Sequence, residues 1–416
     1  MRKKVSFQVA DITHFKDALL EWAQQFDEVC WMDSNGHKDP YSSFDVLLAV
    51  DGLTSIVTDS QNAFEKLKVY EAETKDWIFG YLSYDLKNDV EALRSDNFDG
   101  LHFPELYFFQ PKKMIAIYEN KIEFNYLRMV DDEIETDFEA ISVGSFPKKA
   151  SKVIQDEIHI KLRIFKDEYF RRIDQVLRHI QQGDIYEANF CQEFYAENAQ
   201  IDALQIYKKL NKISQAPFAT FLRLNDKYLL SASPERYLKK MDNKVVSQPI
   251  KGTAKRSIDP LEDETLVAQL KIDSKERAEN IMIVDLVRND LSRSAKKGSV
   301  IVESLCNVHT FKQVHQMIST ISSIVEKDKN PIEIIKDTFP MGSMTGAPKV
   351  SAMNIIEALE PFKRGLYSGA VGYFAPNHDF DFNVVIRSIL YNETEKYVSY
   401  AVGGAITAKS DPKKEY

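Results

Sequence analysis

Lys251 and Glu235 are the two side chains of this sequence best suited to act together on one substrate. Glu235 follows a Ser-Pro pair, and Lys251 lies sixteen positions later (251 − 235) in the run 249–253. Both segments have the pattern of strands. An uncharged lysine amine can attack carbon, and a protonated glutamate can give its proton to a leaving group. The alternative, which these two residues alone leave open, is a solvated lysine on a surface strand.

Glu276 and Glu279 lie three positions apart in a segment with a helical pattern that runs from Ser274 to about Leu291. Residues at that spacing share one face of a helix, so both carboxylates could meet one cation. Paired oxygen ligands suit Mg²⁺, which keeps part of its water shell and shares the rest with a substrate. Because Lys275 is adjacent, the spacing alone favours a solvated helix face without a metal.

Three further features could contact an anionic ligand. The glycine-containing run 341–349 precedes a helix that should begin at Pro348, and free N–H groups at a helix start favour an anion. Arg387 lies in an apolar run that has the pattern of a strand, so its guanidinium needs a carboxylate from a ligand or from an internal salt bridge. Tyr373 is more typical of a packed strand aromatic than of a ligand contact.

Three helices are expected to position these residues. Apolar residues at helical spacing from Phe170 to Ile180 predict a helix that ends at Gly183. The second helix carries Glu276, and the third is expected over residues 348–360. Strands and helices that do not alternate strictly indicate an α+β fold, or α/β in the broader sense.

The C-terminal part of the chain has three strand-like segments with short connections, which favour an antiparallel meander. They are residues 369–375, 382–391 and 397–407. A polar run with a proline at 145–152 indicates a linker. We therefore expect an N-terminal region of residues 1–150 and a C-terminal region of residues 151–416.

The composition argues against several classes of protein. The 416 residues carry a formal net charge of −9 with no block of like charge, so we expect no nucleic-acid surface. No apolar run is long enough for a membrane span, and no export signal follows the basic N-terminus. Cys30, Cys191 and Cys306 are odd in number and far apart, which fits a reducing cytoplasm better than disulfides or a metal knuckle.

Five segments, in order along the chain, resemble motifs of the chorismate-utilising enzymes. They are residues 233–237, 249–253, 276–290, 339–353 and 403–412. The resemblance covers most of the chain, and within the family it is nearest to the aminodeoxychorismate synthase component I branch, which serves folate and para-aminobenzoate synthesis. Five ordered matches are specific, so they favour the catalytic interpretations above over a surface lysine and a solvated helix face.

The resemblance implies an anthranilate synthase component I-like fold, with two packed antiparallel sheets, flanking helices and an active-site cleft. It implies that chorismate, a small dicarboxylate, binds against Mg²⁺ held by Glu276, Glu279 and Glu415. The substrate contacts that it implies are Thr253, Tyr373, Arg387, Gly403 and Gly404.

Lys251 separates two branches of the family. Anthranilate synthases usually have alanine at this position, and ammonia attacks the ring directly, whereas aminodeoxychorismate enzymes have lysine. The resemblance implies that the Lys251 amine adds at C2 while Glu235 protonates the departing C4 hydroxyl, and that ammonia then displaces the lysine by attack at C4. Such an amine must be uncharged, and burial must raise the pKa of such a glutamate.

Ammonia must come from elsewhere, because the sequence has no Cys–His–Glu glutaminase region. The resemblance implies a separate glutamine amidotransferase subunit as the source. Relatives often have histidine at the position of Gln316, and an amide there can form hydrogen bonds but cannot carry a proton. The family helix normally continues past Glu415 with a second metal glutamate, so we expect weak Mg²⁺ binding by a chain that ends at Tyr416.

Two other interpretations stay open. The first is anthranilate synthase component I, an enzyme of tryptophan biosynthesis, which would release anthranilate from chorismate and ammonia. The second is a catalytically silent chorismate-binding subunit that regulates an amidotransferase. Product analysis separates the first from the leading interpretation, and any turnover of chorismate excludes the second.

Overall fold

A computed structural model describes residues 1–146 and 157–416, which contain twenty strands paired with antiparallel registers. Along the chain they are β1 (Arg2–Gln8), β2 (Glu28–Asp33), β3 (Val46–Thr58), β4 (Ile78–Leu82), β5 (Leu106–Tyr118), β6 (Lys121–Leu127), β7 (Lys161–Leu162), β8 (Glu187–Ala196), β9 (Phe218–Leu224), β10 (Lys227–Ser233), β11 (Arg236–Met241), β12 (Lys244–Gln248), β13 (Ile250–Lys255), β14 (Ile301–Thr310), β15 (Val314–Ile324), β16 (Gly346–Ala347), β17 (Ala370–Phe374), β18 (Phe380–Val384), β19 (Ser388–Asn392) and β20 (Tyr397–Thr407).

Helices flank these strands. The α-helices are α1 (Ile12–Trp22), α2 (Ala63–Thr74), α3 (Lys87–Val90), α4 (Ile134–Val143), α5 (Lys166–Gln182), α6 (Ala203–Ser214), α7 (Pro260–Ile272), α8 (Ser274–Ser292), α9 (Pro331–Thr338), α10 (Lys349–Leu359) and α11 (Pro412–Glu415). Short 3₁₀ turns cover Ala23–Gln25, Tyr84–Leu86, Arg128–Glu133 and Gly342–Met344. Within the described residues, no helix combines the length and apolar character needed to cross a bilayer.

Two long strands, β3 and β5, belong to both halves of the strand network. They pair along their whole length, with a register shift just after Gly52. On its other edge β5 pairs first with β4 and then with β6. From this pair one half continues through β2, β9, β10, β19, β20 and β8, and the other through β4, β17, β18, β11, β12 and β15. The two predicted sheets are therefore two halves of one continuous antiparallel network.

The main hydrophobic core joins these halves. Buried Leu222 and Leu229 of the first half belong to the same cluster as Leu238 and Phe382 of the second. A second core packs the first half against α1, α4 and α6, and a third packs α5 and α10 against β8. The halves therefore pack face to face as two layers, as the family resemblance implies.

Strands from the two predicted regions of the chain pair with each other. In the N-terminal region, β2 pairs with β9 and β4 pairs with β17. The predicted linker at 145–152 lies mostly outside the described residues, so the boundary at residue 150 stays a prediction. The strand network itself extends across that division.

The predicted helices are confirmed to within a residue or two, but one predicted strand is wrong. The helix that carries Phe170 stops at Gly183, which has a φ of 85°, and Pro348 immediately precedes α10. The predicted strand 382–391 is divided into β18 and β19, because Arg387 has a left-handed φ of 51°. The expected antiparallel pairings are confirmed, since β17 pairs with β18 and β19 pairs with β20. However, β18 and β19 also pair with β11 and β10 respectively, so the meander is interrupted between them.

Candidate active site

A hairpin brings Glu235 and Lys251 to the same end of the second layer. β11 and β12 pair antiparallel, with Arg236 opposite Gln248, so the residues just outside this pair return close to each other. Glu235 lies immediately before β11, and Lys251 lies on β13 after β12. The positive charge of Lys251 is near enough to the Glu235 carboxyl to favour its charged form and so to lower its pKa.

Glu235 is almost completely buried. Its Oε1 accepts a hydrogen bond of 2.6 Å from the Ser343 hydroxyl, which belongs to the predicted anion-binding run. Burial raises the pKa of Glu235 to about 7, although Ser343, Lys251 and Arg387 all favour the charged form. The carboxyl can therefore hold a proton near neutral pH, as a proton donor must.

Lys251 is not a solvated surface lysine. Its side chain is 12% exposed, and Nζ lies 3.2 Å from Oε1 of Glu187. Its backbone carbonyl accepts a hydrogen bond from Nδ2 of Asn280, which ties β13 to α8. The amine therefore lies inside the site, next to a carboxylate that the sequence analysis did not identify.

Arg387 completes the group around Glu235. Burial lowers the pKa of its guanidinium, and the nearby charge of Glu235 opposes that shift. The internal salt bridge considered for Arg387 is not formed with any residue that the structure describes. A guanidinium that has no partner among the described residues and lies near a protonatable glutamate can bind a carboxylate of a ligand in bidentate geometry.

The three predicted metal ligands surround Lys275. Asp273 caps α8 by accepting from the backbone N–H groups of Lys275 and Glu276, which fixes the first turn of the helix. Nζ of Lys275 lies 3.7 Å from Oε1 of Glu279 and 3.5 Å from Oε1 of Glu415. The spacing on α8 and the position of α11 thus gather these carboxylates on one side of the site.

The surroundings of Glu279 make its negative charge costly, so a bound cation would stabilise it. Burial raises its pKa to about 7, and the negative charges of Glu276 and Glu187 act in the same direction. Its Oε1 is buried and receives no hydrogen bond from the described part of the chain. Across the described ranges, no group of three or more acidic, His or Cys side chains is already gathered as a metal site. The carboxylates fit a divalent cation in ligand type and charge, and they must close inward to bind it.

Glycines allow the backbone to form two walls of the site. A Cβ at Gly403 would lie 2.7 Å from Sγ of Cys191, and one at Gly404 would lie 3.6 Å from Oε2 of Glu415. Gly252 has a φ of 95°, and a Cβ there would lie 3.3 Å from Oε2 of Glu276. The predicted position Gly404 therefore lies beside the acidic cluster of Glu276, Glu279 and Glu415, whereas Gly403 has no room for a side chain.

Tyr373 does not lie with the site residues around Glu235 and Lys251. Its ring packs against Phe44, Trp77 and Phe79, with ring centroids 5.3–5.9 Å apart. Tyr373 is therefore a packed aromatic of a strand, as its sequence pattern indicates. The structure does not place it where the substrate contact implied by the resemblance would need it. Tyr367 lies closer to the site, since its hydroxyl would be 3.3 Å from a Cβ at Gly403.

Thr253 is exposed on β13 and is paired in register with Gln316 of β15. The Gln316 side chain is buried, and within residues 1–146 and 157–416 its Oε1 has no hydrogen-bond partner. A hydroxyl and an amide oxygen therefore lie at paired positions of adjacent strands, two residues along β13 from Lys251. Sequence reasoning missed Glu187 and Tyr367, because neither stands in a motif with a chemical signature.

A buried ion pair between Lys349 and Asp290 holds the end of the glycine-containing run 341–348 against α8. Nζ of Lys349 donates to Oδ2 of Asp290 at 2.6 Å, and both side chains are less than a tenth exposed. Burial raises the pKa of Asp290 and lowers that of Lys349, because desolvation outweighs the attraction between them. The pair therefore joins the C-terminal part of α8 to the start of α10.

We expect Asp290→Asn to reduce the free energy of unfolding by about 3–5 kcal/mol, because it leaves the Lys349 charge buried and uncompensated. Urea denaturation followed by circular dichroism measures the change. Asp285→Asn is the matched control on the same helix: its pair with Arg288 is exposed, so the expected effect is below about 1 kcal/mol. Equal effects of the two substitutions would contradict the anchoring role of the buried pair.

Comparisons with known proteins agree with this architecture. The family model of the chorismate binding enzymes matches residues 27–416. The chain is 42% identical over 254 residues to a chloroplastic aminodeoxychorismate synthase of Arabidopsis thaliana, but it spans only 27% of that protein's length. It is 29% identical over its whole length to aminodeoxychorismate synthase component 1 of Bacillus subtilis, of which it covers 93%.

A solved structure confirms the predicted fold. Anthranilate synthase component I from Streptococcus pneumoniae superposes with a TM-score of 0.78 over 92% of each chain, at 22% identity. At that identity the likeness concerns the fold alone. The family match, which spans the residues of the site described above, leads to one conclusion: the chain belongs to the chorismate binding enzymes.

Proposed function

We propose that this protein is component I of an aminodeoxychorismate synthase, which converts chorismate and ammonia to 4-amino-4-deoxychorismate. The observation that carries the proposal is the lysine at position 251, enclosed with a protonatable Glu235 and an unpaired Arg387. Both relatives described above carry that enzyme's name. The reaction is an amino-group transfer, typical of a transferase that serves folate and para-aminobenzoate synthesis.

In this proposal each side chain has one task. Arg387 binds a carboxylate of chorismate and orients the ring. The Lys251 amine forms a bond to C2, both ring double bonds shift, and the C4–O bond breaks. Glu235 gives its proton to the departing hydroxyl, which leaves as water. Ammonia then attacks C4, the double bonds shift back, and the lysine nitrogen leaves C2.

Glu276, Glu279 and Glu415 would hold Mg²⁺ in this proposal. When bound, the ion would neutralise a carboxylate of the substrate. The support is the charge and ligand type of the three residues, together with the unsatisfied Oε1 of Glu279. Lys275 now occupies the space between Glu279 and Glu415, so it would have to turn away.

We expect Mg²⁺ binding to the protein alone to release a proton below pH 7. The pKa of Glu279 is raised to about 7, so its carboxyl is protonated below that pH and must lose the proton to bind a cation. Affinity should therefore fall as the pH falls from 7 to 6. Titration calorimetry in two buffers of different ionisation enthalpy measures the release. Glu279→Gln should abolish it, whereas Glu264→Gln, on exposed α7, should not.

The ammonia source is a separate glutamine amidotransferase subunit in this proposal, in line with the component name of the Bacillus relative. A cytoplasmic location is also part of the proposal, because all three cysteines are free buried thiols. Free ammonium should replace the partner in vitro, as no glutaminase chemistry is needed for the amination itself.

Liquid chromatography of the products from chorismate, Mg²⁺ and ammonium tests the proposal. We expect 4-amino-4-deoxychorismate as the main product. A dominant anthranilate peak would instead identify an anthranilate synthase. Absence of turnover, also with an amidotransferase partner and glutamine, would favour the silent chorismate-binding subunit.

A further inference from the structure

We propose that Glu187 is the proton acceptor that frees the Lys251 amine for attack, a role that rests on the function proposed above. Glu187 begins β8, and its side chain is 1% exposed. Its backbone pairs with Ala347 of β16 on one side and with Thr407 of β20 on the other. A residue held between two strands has little freedom to move, so the fold fixes its carboxylate relative to Lys251.

The two oxygens of Glu187 have different environments. Oε1 lies 3.2 Å from Nζ of Lys251, whereas Oε2 is buried and has no hydrogen-bond partner among the residues that the structure describes. A buried carboxylate with an unsatisfied oxygen is costly as an anion. Transfer of one proton from the Lys251 ammonium to Glu187 leaves both groups uncharged, which relieves that cost and produces the nucleophile.

Other charged groups face this pair from the surrounding elements. Glu235, in the turn before β11, and Glu276 and Glu279, on α8, act on Lys251, and Glu279 also acts on Glu187. Within this set Glu235 is the competing acceptor. However, Arg387 faces Glu235, and the Glu235 carboxyl carries the proton that the leaving group needs.

The two carboxylates therefore have opposite tasks in one step. An N–H bond of the Lys251 ammonium breaks, and its proton passes to Glu187. The nitrogen lone pair forms the bond to C2 of the ring, both ring double bonds shift, and the C4–O bond breaks with its electron pair on oxygen. Glu235 protonates the departing oxygen. Protons and electrons balance without an oxidant or a reductant.

Glu187→Gln should slow the formation of the Lys251 adduct at pH 7 by about 10²-fold or more. The rate is measured by intact mass after rapid quenching of protein mixed with chorismate and Mg²⁺, without ammonia. In the variant, solvent must accept the proton, so below pH 7, where Glu235 keeps its own proton, the rate should rise by about tenfold per pH unit. Glu187→Asp, which keeps a carboxylate, should recover part of the rate. Glu197→Gln, which removes an exposed carboxylate just after β8, should match the wild type.

The outcomes separate this inference from the proposed function. A Glu187→Gln variant with the wild-type rate and pH profile would overturn the acceptor role, while the wild-type adduct would still support the function. A slower rate without the new pH dependence would indicate a positioning role and also overturn it. Absence of the adduct in the wild type would remove the proposed function itself. Circular dichroism checks folding, and if Glu187→Gln does not fold, Glu187→Asp and its pH profile provide the test.

Discussion

Lys251→Ala should abolish the covalent adduct and lower the rate of amination at C4 on the order of 10³-fold or more, because the nucleophile of the first step is lost. Substrate binding should change little, since Arg387 and the acidic cluster are intact. Ammonia can then reach C2 directly, so residual product should shift toward amination at C2. Initial rates and product ratios from chorismate and ammonium measure both effects.

Lys255→Ala is the matched control for this substitution. Lys255 lies on the same strand but is exposed, and its loss removes the same charge without touching the enclosed site. We expect near wild-type rates and products for this variant. A Lys251→Ala protein that aminates C4 at the wild-type rate would show that ammonia never needed the lysine.

Glu235→Gln is the second substitution with a large expected effect, a loss of about 10²–10⁴-fold in turnover, because the leaving hydroxyl loses its proton donor. The pH profile gives the sharper evidence. The pKa of Glu235 is raised to about 7, so the carboxyl is protonated below that pH and loses its proton as the pH rises through it. Wild-type activity should therefore decline above pH 7, and an amide, which does not titrate, should remove that decline.

Ser343→Ala also tests the assignment of Glu235 as the proton donor, because it should shift the pKa of Glu235 instead of removing its carboxyl. The Ser343 hydroxyl donates to Glu235 and favours its charged form, so loss of this hydrogen bond should raise the pKa of Glu235 further. The decline in activity should move to higher pH in this variant. If Glu235→Gln and Ser343→Ala both kept the wild-type dependence of activity on pH, a residue other than Glu235 would be the proton donor.

Residues in short contiguous motifs could be predicted because local geometry positions them. Glu235 and Lys251 are joined by one hairpin, so their approach follows from the antiparallel pairing of β11 and β12. Glu276 and Glu279 share a helix face by their spacing alone, and a single capping residue, Asp273, fixes where that helix begins.

Features that depend on pairing between distant segments could not be predicted. Glu187 meets Lys251 only because β8 lies between β16 and β20, which follow it by more than a hundred residues. The break at Arg387 carries no glycine or proline, and it exists because β18 and β19 pair with different strands. Tyr367 and Tyr373 are equally plausible as substrate contacts in the sequence. Only the tertiary packing shows that Tyr367 lies near Gly403 and that Tyr373 packs against Trp77.

The nucleophilic role of Lys251 has the most direct test in the mass of the intact protein after quenching with chorismate and Mg²⁺ in the absence of ammonia. We predict an added mass equal to chorismate less one water, located on Lys251 by peptide mapping and removed when ammonium is added before the quench. Protein that keeps its unmodified mass while it still forms product on addition of ammonium would contradict the covalent route.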